Sequence, residues 1–126
     1  MSKSKTRGKK VVFDAYAVRV KDPYTAFTIL AKLVGYGRIR YSFLKKKNEM
    51  ICQPGALITP ETVALVLGFG GALIRVWYEK GRIIFCSIRR DMKDVCRILA
   101  ERLERELYGG GKVEVRGRYP SIRVGK

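Results

Sequence analysis

The stretch Gly71–Cys86, GALIRVWYEKGRIIFC, admits few folds. Two runs of β-branched, aliphatic and aromatic residues flank the four residues Glu79-Lys80-Gly81-Arg82. Such runs fit a pleated, half-buried surface, and a tight glycine-containing break between them is a hairpin turn. Alternation from Leu73 places Arg75 and Trp77 on one side of the strand and Ile74, Val76 and Tyr78 on the other. In the returning strand, Ile83, Phe85 and Ser87 are read with the Arg75 and Trp77 side, and Ile84, Cys86 and Ile88 with the opposite one. One face is then aliphatic, while the other carries an arginine, an indole and a phenyl ring. Cations for phosphates and flat rings for bases are what a single-stranded nucleic acid requires of a surface. The competing reading makes Trp77 and Phe85 core side chains.

Charge narrows the partners. The 126 residues include 27 Lys and Arg against 11 Asp and Glu, a formal net charge of +16, in a chain that is still 47% hydrophobic. That is enough apolar residue for one domain with a real core. Self-repulsion on this scale destabilises a compact state unless a polyanion is the ordinary partner, and nucleic acid is the first candidate. An anionic membrane is a poorer one. No segment reads as a long amphipathic helix with a basic polar face, and no apolar run is long enough to cross a bilayer. The N-terminus lacks the apolar core of a secretory signal, so a cytoplasmic location is expected. Cys52, Cys86 and Cys96 form no C-x-x-C pair and the chain has no histidine. No metal or other cofactor is expected. Without histidine the usual general acid–base group near neutral pH is missing, and the chain reads as a non-enzyme.

Residues 1–10 read as a flexible basic arm, residues 11–117 as a single nucleic-acid-binding domain, and residues 118–126 as a basic C-terminal tail. Val11–Val20 is a candidate strand. Asp22-Pro23 is a helix start, followed by Phe27, Leu30, Ala31 and Val34 at helical spacing and by Gly35 as a stop. Arg38–Leu44 alternates as a strand, turns at Lys45–Asn48 and returns over Glu49–Gln53. Thr59-Pro60-Glu61 is read as the start of a second helix that runs through Leu67 and stops at Gly68-Phe69-Gly70. After the opening hairpin, Asp91 is expected to cap a third helix with the stripe Met92, Val95, Cys96, Leu99, Ala100, Leu103 and Leu107. Lys112–Arg116 is a possible last strand.

LVGYGRIRYSF (33–43) matches LGFGGALIRVW (67–77) in kind, and Cys52 and Cys86 lie 34 residues apart. The expected fold is therefore α+β: an antiparallel sheet of two helix–hairpin repeats, αββαββα, with the helices on one face and a flanking N-terminal strand. Aligning the repeats turns Ile39, Tyr41 and Phe43 toward the helices, and Arg38, Arg40, Ser42, Glu49, Ile51 and Gln53 away. The helix-free face then has an apolar floor of Ile51, Trp77 and Phe85. Its basic margin is Arg38, Arg40 and Arg75, with Lys45, Lys46, Lys47 and Arg82 at the turns. These ten residues are the expected nucleic-acid contacts. Gly35-Tyr36-Gly37 and Gly68-Phe69-Gly70 are not phosphate loops, since neither follows a strand nor precedes Lys-Ser or Lys-Thr.

The basic chain, the two helix–hairpin units and the arginine-edged aromatic sheet resemble the archaeal ThermoDBP and ThermoDBP-related proteins over roughly residues 22–107. That resemblance implies a single-stranded-DNA-binding protein that does not use the OB fold; separately, high Arg, Val and Ile with few Gln and Asn are compatible with a thermophile. It also implies an oligomer, commonly a dimer, that holds the strand in a cleft through Arg38, Arg40, Arg75, Trp77 and Phe85. A second resemblance rests on LIRVWYEKGRIIFC (73–86), the basic turn and helix 91–103. These are similar to the small protein subunit of archaeal ribonuclease P, and imply an RNA-binding subunit whose catalysis lies in a partner RNA. The order αββαββα also resembles the homing-endonuclease fold. That fold places a metal-binding carboxylate at the glycine turn, where this chain has Tyr36 and Phe69. The leading expectation is non-catalytic, sequence-nonspecific binding of single-stranded nucleic acid, DNA before RNA.

Overall fold

The computed structural model describes the backbone of residues 12–109 and 114–120 and the side chains of residues 15–109. A strand, β1 (Val12–Arg19), leads into helix α1 (Pro23–Val34). The Asp22 carboxylate caps this helix, accepting from the Tyr24 N–H at 3.1 Å and from the Thr25 hydroxyl at 2.6 Å, and Pro23 fills the first position. Gly35, at φ +93°, ends it. A short 3₁₀ turn (Tyr36–Arg38) opens a run of five strands: β2 (Ile39–Lys46), β3 (Glu49–Pro54), β4 (Thr62–Phe69), β5 (Ala72–Glu79) and β6 (Arg82–Cys86). Helix α2 (Lys93–Tyr108) and strand β7 (Glu114–Pro120) follow. All neighbouring strands pair antiparallel, in the order β3-β2-β4-β5-β6-β1-β7.

Both helices lie on one face of this sheet. Phe27, Leu30 and Ala31 of α1 and Cys96, Leu99, Ala100 and Leu103 of α2 join one core with Ile39, Leu65, Leu67, Ile74, Val76, Ile83 and Phe85 of the strands. The α+β class and the one-sided helix layer are therefore as expected, but the repeat is not. Residues 59–67 do not form a helix, and the order is βαβββββαβ rather than αββαββα with a leading strand. Thr59, Glu61 and Thr62 close a local turn instead. The Thr59 N–H donates to Thr62 Oγ1 at 2.8 Å, and the Thr62 N–H donates to the Thr59 carbonyl at 2.9 Å. The apolar run Val63–Leu67 that follows is short, and by periodicity alone suits a buried strand as well as a helix. Pairing with β2 on one side and β5 on the other decides for the strand. Gly68-Phe69 accordingly ends a strand, and Gly70-Gly71 forms a two-residue hairpin turn.

Smaller differences follow. Asp91 does not cap α2; its carboxylate takes the guanidinium of Arg89, and Arg90–Met92 form a 3₁₀ turn before the helix. The last strand runs to Pro120, three residues into the segment read as a tail, and pairs with β1 through Val12. Residues 1–10, read as a basic arm, and residues 121–126 lie outside the described residues.

Candidate nucleic-acid interface

Register, more than composition, determines what the helix-free face carries. The β5–β6 turn has two residues, Lys80 at φ +50° and Gly81 at φ +78°, which is the mirror-image turn that suits strand twist. A two-residue turn makes Glu79 and Arg82 partners, then Trp77 and Ile84, then Val76 and Phe85. Phe85 therefore shares the helix side with Val76 and is wholly buried. The expectation that put it beside Trp77 is overturned. Ile84 and Cys86 occupy that face instead, packed with Ala15, Ala17 and Trp77 in a small second cluster.

Strand β2 departs from strict alternation in the opposite sense. Ile39 pairs with Leu67 but Tyr41 pairs with Val66, so Arg40 is an extra residue. A β-bulge of this kind reverses the sidedness of everything after it. Tyr41 and Phe43 thus turn away from the helices and Ser42 turns toward them, the reverse of the expected arrangement. Phe43 then pairs with Ala64 and Leu44 with Thr62, leaving Val63 as the extra residue of a second bulge. In β3, Cys52 lies opposite Phe43 and Ile51 opposite Leu44. Ile51 is thereby on the helix side and leaves the expected floor, while Met50 and Cys52 join the other face.

Two cross-strand rows describe the result. One runs Cys52, Phe43, Ala64, Trp77, Ile84; the next runs Pro54, Tyr41, Val66, Arg75, Cys86. Phe43 and Trp77 stand two strand spacings apart, about 10 Å, with only the methyl group of Ala64 between them. Tyr41 and Arg75 flank the gap in the adjacent row. Together with Met50 and Leu73 these residues line a shallow depression of about 470 Å³. Tyr41, Met50 and Leu73 are 45%, 60% and 47% exposed, and Trp77 is half-buried. The indole N–H of Trp77 donates to the Glu79 carboxylate at 2.9 Å, which holds the ring in place from its edge.

The expected basic margin is only partly here. Arg75 is exposed within the depression, and Lys45 stands opposite Met50 at its rim. Lys46 and Lys47 are exposed at the β2–β3 turn. Arg40 lies across Gly68, where an added Cβ would run into its guanidinium, and donates to the Gly37 carbonyl at 3.3 Å. Arg82 is on the same face, two residues beyond the partner of Trp77. Arg38 is elsewhere. Its guanidinium sits 4.8 Å from the ring centre of Phe69, a residue packed against the helix-side core, and reaches the Gly68 carbonyl at 3.5 Å.

The structure thus brings Arg75 and Trp77 together, leaves Arg40 and Lys45 on the same face outside the depression, and separates Phe85, Ile51 and Arg38 from them. Sequence reasoning missed Tyr41, Phe43, Met50 and Leu73. The two-residue turn at Lys80-Gly81 was a readable signal for the Trp77–Ile84 pairing. The bulge at Arg40 left none. Among the described residues, no group of three or more His, Cys, Asp or Glu could hold a metal ion, and no helix is long and apolar enough to cross a membrane. No protein-family model, curated protein or solved structure matches the chain.

Proposed function

We propose that this face binds single-stranded nucleic acid without sequence preference and without catalysis, with DNA the favoured partner. The observation that carries the reading is the convergence of Tyr41, Phe43 and Trp77 around Ala64 with Arg75 beside them. Every base has a π-face, so aromatic platforms accept any sequence, while arginine and lysine side chains meet the phosphates. Duplex bases are already stacked and cannot enter a depression this shallow. The net charge of +16 supplies attraction at a distance, but by itself would serve duplex and single strand alike.

The test uses Trp77, the sole tryptophan of the chain. Titration with a single-stranded oligonucleotide is expected to quench its fluorescence, with weak competition from duplex DNA. Single-stranded RNA in a parallel arm measures the preference for DNA. Phe43→Ala is expected to weaken binding roughly 5- to 150-fold, the equivalent of about 1–3 kcal/mol for one lost stacking contact. Binding without any change at Trp77, and undiminished by Phe43→Ala, would refute the proposal.

A further inference from the structure

A second depression, about 620 Å³, lies where the β5–β6 turn, the β1–α1 junction and the last turns of α2 meet. Arg19, Lys21, Lys80 and Arg82 line it, with Glu104 as the one carboxylate and Tyr108 at its side. The walls are tied together. The Val20 N–H donates to the Gly81 carbonyl at 2.9 Å, and the Tyr108 hydroxyl donates to the Arg19 carbonyl at 2.7 Å. Arg19 and Arg82 are direct cross-strand partners, and Glu79 stands opposite Arg82 on its other side, so the row carries two guanidinium groups and one carboxylate. Glu104 places one carboxylate in this otherwise basic lining, and burial holds its carboxyl above the usual range.

The position of this cleft relates it to the aromatic depression. The row Glu79, Arg82, Arg19 lies two residues along the strands from the row that contains Trp77, about 7 Å away on the helix-free face, while Glu104 and Tyr108 of α2 close the cleft from the helix side at the end of the sheet. That distance matches about two stacked-nucleotide rises. We propose that this cleft is a phosphate-binding site that receives the backbone of a strand leaving the aromatic depression past Trp77. The proposal rests on the reading of that depression as the base platform. It assigns to Arg19, Lys21, Lys80 and Arg82 the adjoining stretch of strand, and so gives the bound strand a path from Phe43 and Trp77 toward the C-terminal end of α2.

The experiment compares wild type, Lys21→Gln/Lys80→Asn and Phe43→Ala, each titrated with a single-stranded oligonucleotide over a range of salt. Asparagine tolerates the left-handed backbone at position 80, so the double variant keeps the turn. In the double variant the slope of log K against log salt is expected to become shallower by about 1.4, the equivalent of two lost phosphate contacts. Quenching of Trp77 at saturation should not change. Phe43→Ala should instead weaken binding with the slope unchanged. An unaltered slope in the double variant overturns the cleft proposal while leaving the base platform standing. Loss of slope without any quenching in wild type overturns the base platform and, with it, the path from one site to the other. Amide NMR shifts supply a second arm, with sodium tripolyphosphate as the probe. Shifts at Lys21, Lys80 and Gly81 with the oligonucleotide support the proposal. Shifts there with tripolyphosphate alone mean a site for free phosphate, and overturn it.

Discussion

At the scale of single residues, the two sides of the sheet use their side chains in opposite ways. On the helix side Phe85 is fully buried between its cross-strand partners Val76 and Tyr16, and its ring serves packing alone. On the other side Trp77 keeps part of its ring accessible, anchored by its own N–H to Glu79. Cys96 belongs to the first kind. Burial, and secondarily the neighbouring Cys86, pushes its thiol pKa from an ordinary 9.0 up to about 12. A thiol whose pKa is raised by folding holds its proton more tightly in the native state. Its contribution is therefore complete below pH 9 and is lost as pH rises from there toward 12. Wild-type stability, followed by urea unfolding under reducing conditions, should decline above pH 9 with a Cys96 component of at most about 1.4 kcal/mol per pH unit. Cys96→Ala should start less stable because of its cavity, but lack that component. Parallel declines in the two proteins would contradict the assignment.

At the scale of elements, the bulge in β2 is the decisive feature. It inserts Arg40 and brings Tyr41 and Phe43 out beside Trp77, at the expense of turning Ser42 inward. The Ser42 hydroxyl is fully buried and has no hydrogen-bond partner among the described residues. An unsatisfied buried hydroxyl costs about 1–3 kcal/mol, and two aromatic rings left outside forgo their burial as well. Stability is thus sacrificed to present this face. Ser42→Ala should raise the urea midpoint, gaining about 1 kcal/mol, while leaving oligonucleotide affinity unchanged. A destabilised Ser42→Ala would mean that the hydroxyl is satisfied in solution.

At the scale of the whole molecule, the excess of positive charge opposes folding and anions relieve it. Thermal unfolding should therefore show a Tm that rises with moderate salt. A single-stranded oligonucleotide should raise it further at low salt, by the equivalent of about 2.7 kcal/mol at a hundredfold excess over Kd. The two effects should compete, since salt that screens the repulsion also weakens the complex. A Tm indifferent to both would show that the charges are too dispersed to matter.

Local chemistry was enough to determine much of this protein. Asp22-Pro23 and Gly35 bound the first helix, the stripe from Cys96 to Leu103 makes the second amphipathic, and Lys80-Gly81 turns the central hairpin. Each of these signals lies within a few residues of what it controls. The face that a strand residue occupies is different in kind, because a side-chain period of two makes it depend on every pairing upstream. One extra residue at Arg40 sent Tyr41 and Phe43 to the open face, and pairing on both edges made Thr62–Phe69 a strand. Those contacts join segments far apart in the chain, so only the tertiary structure could decide them.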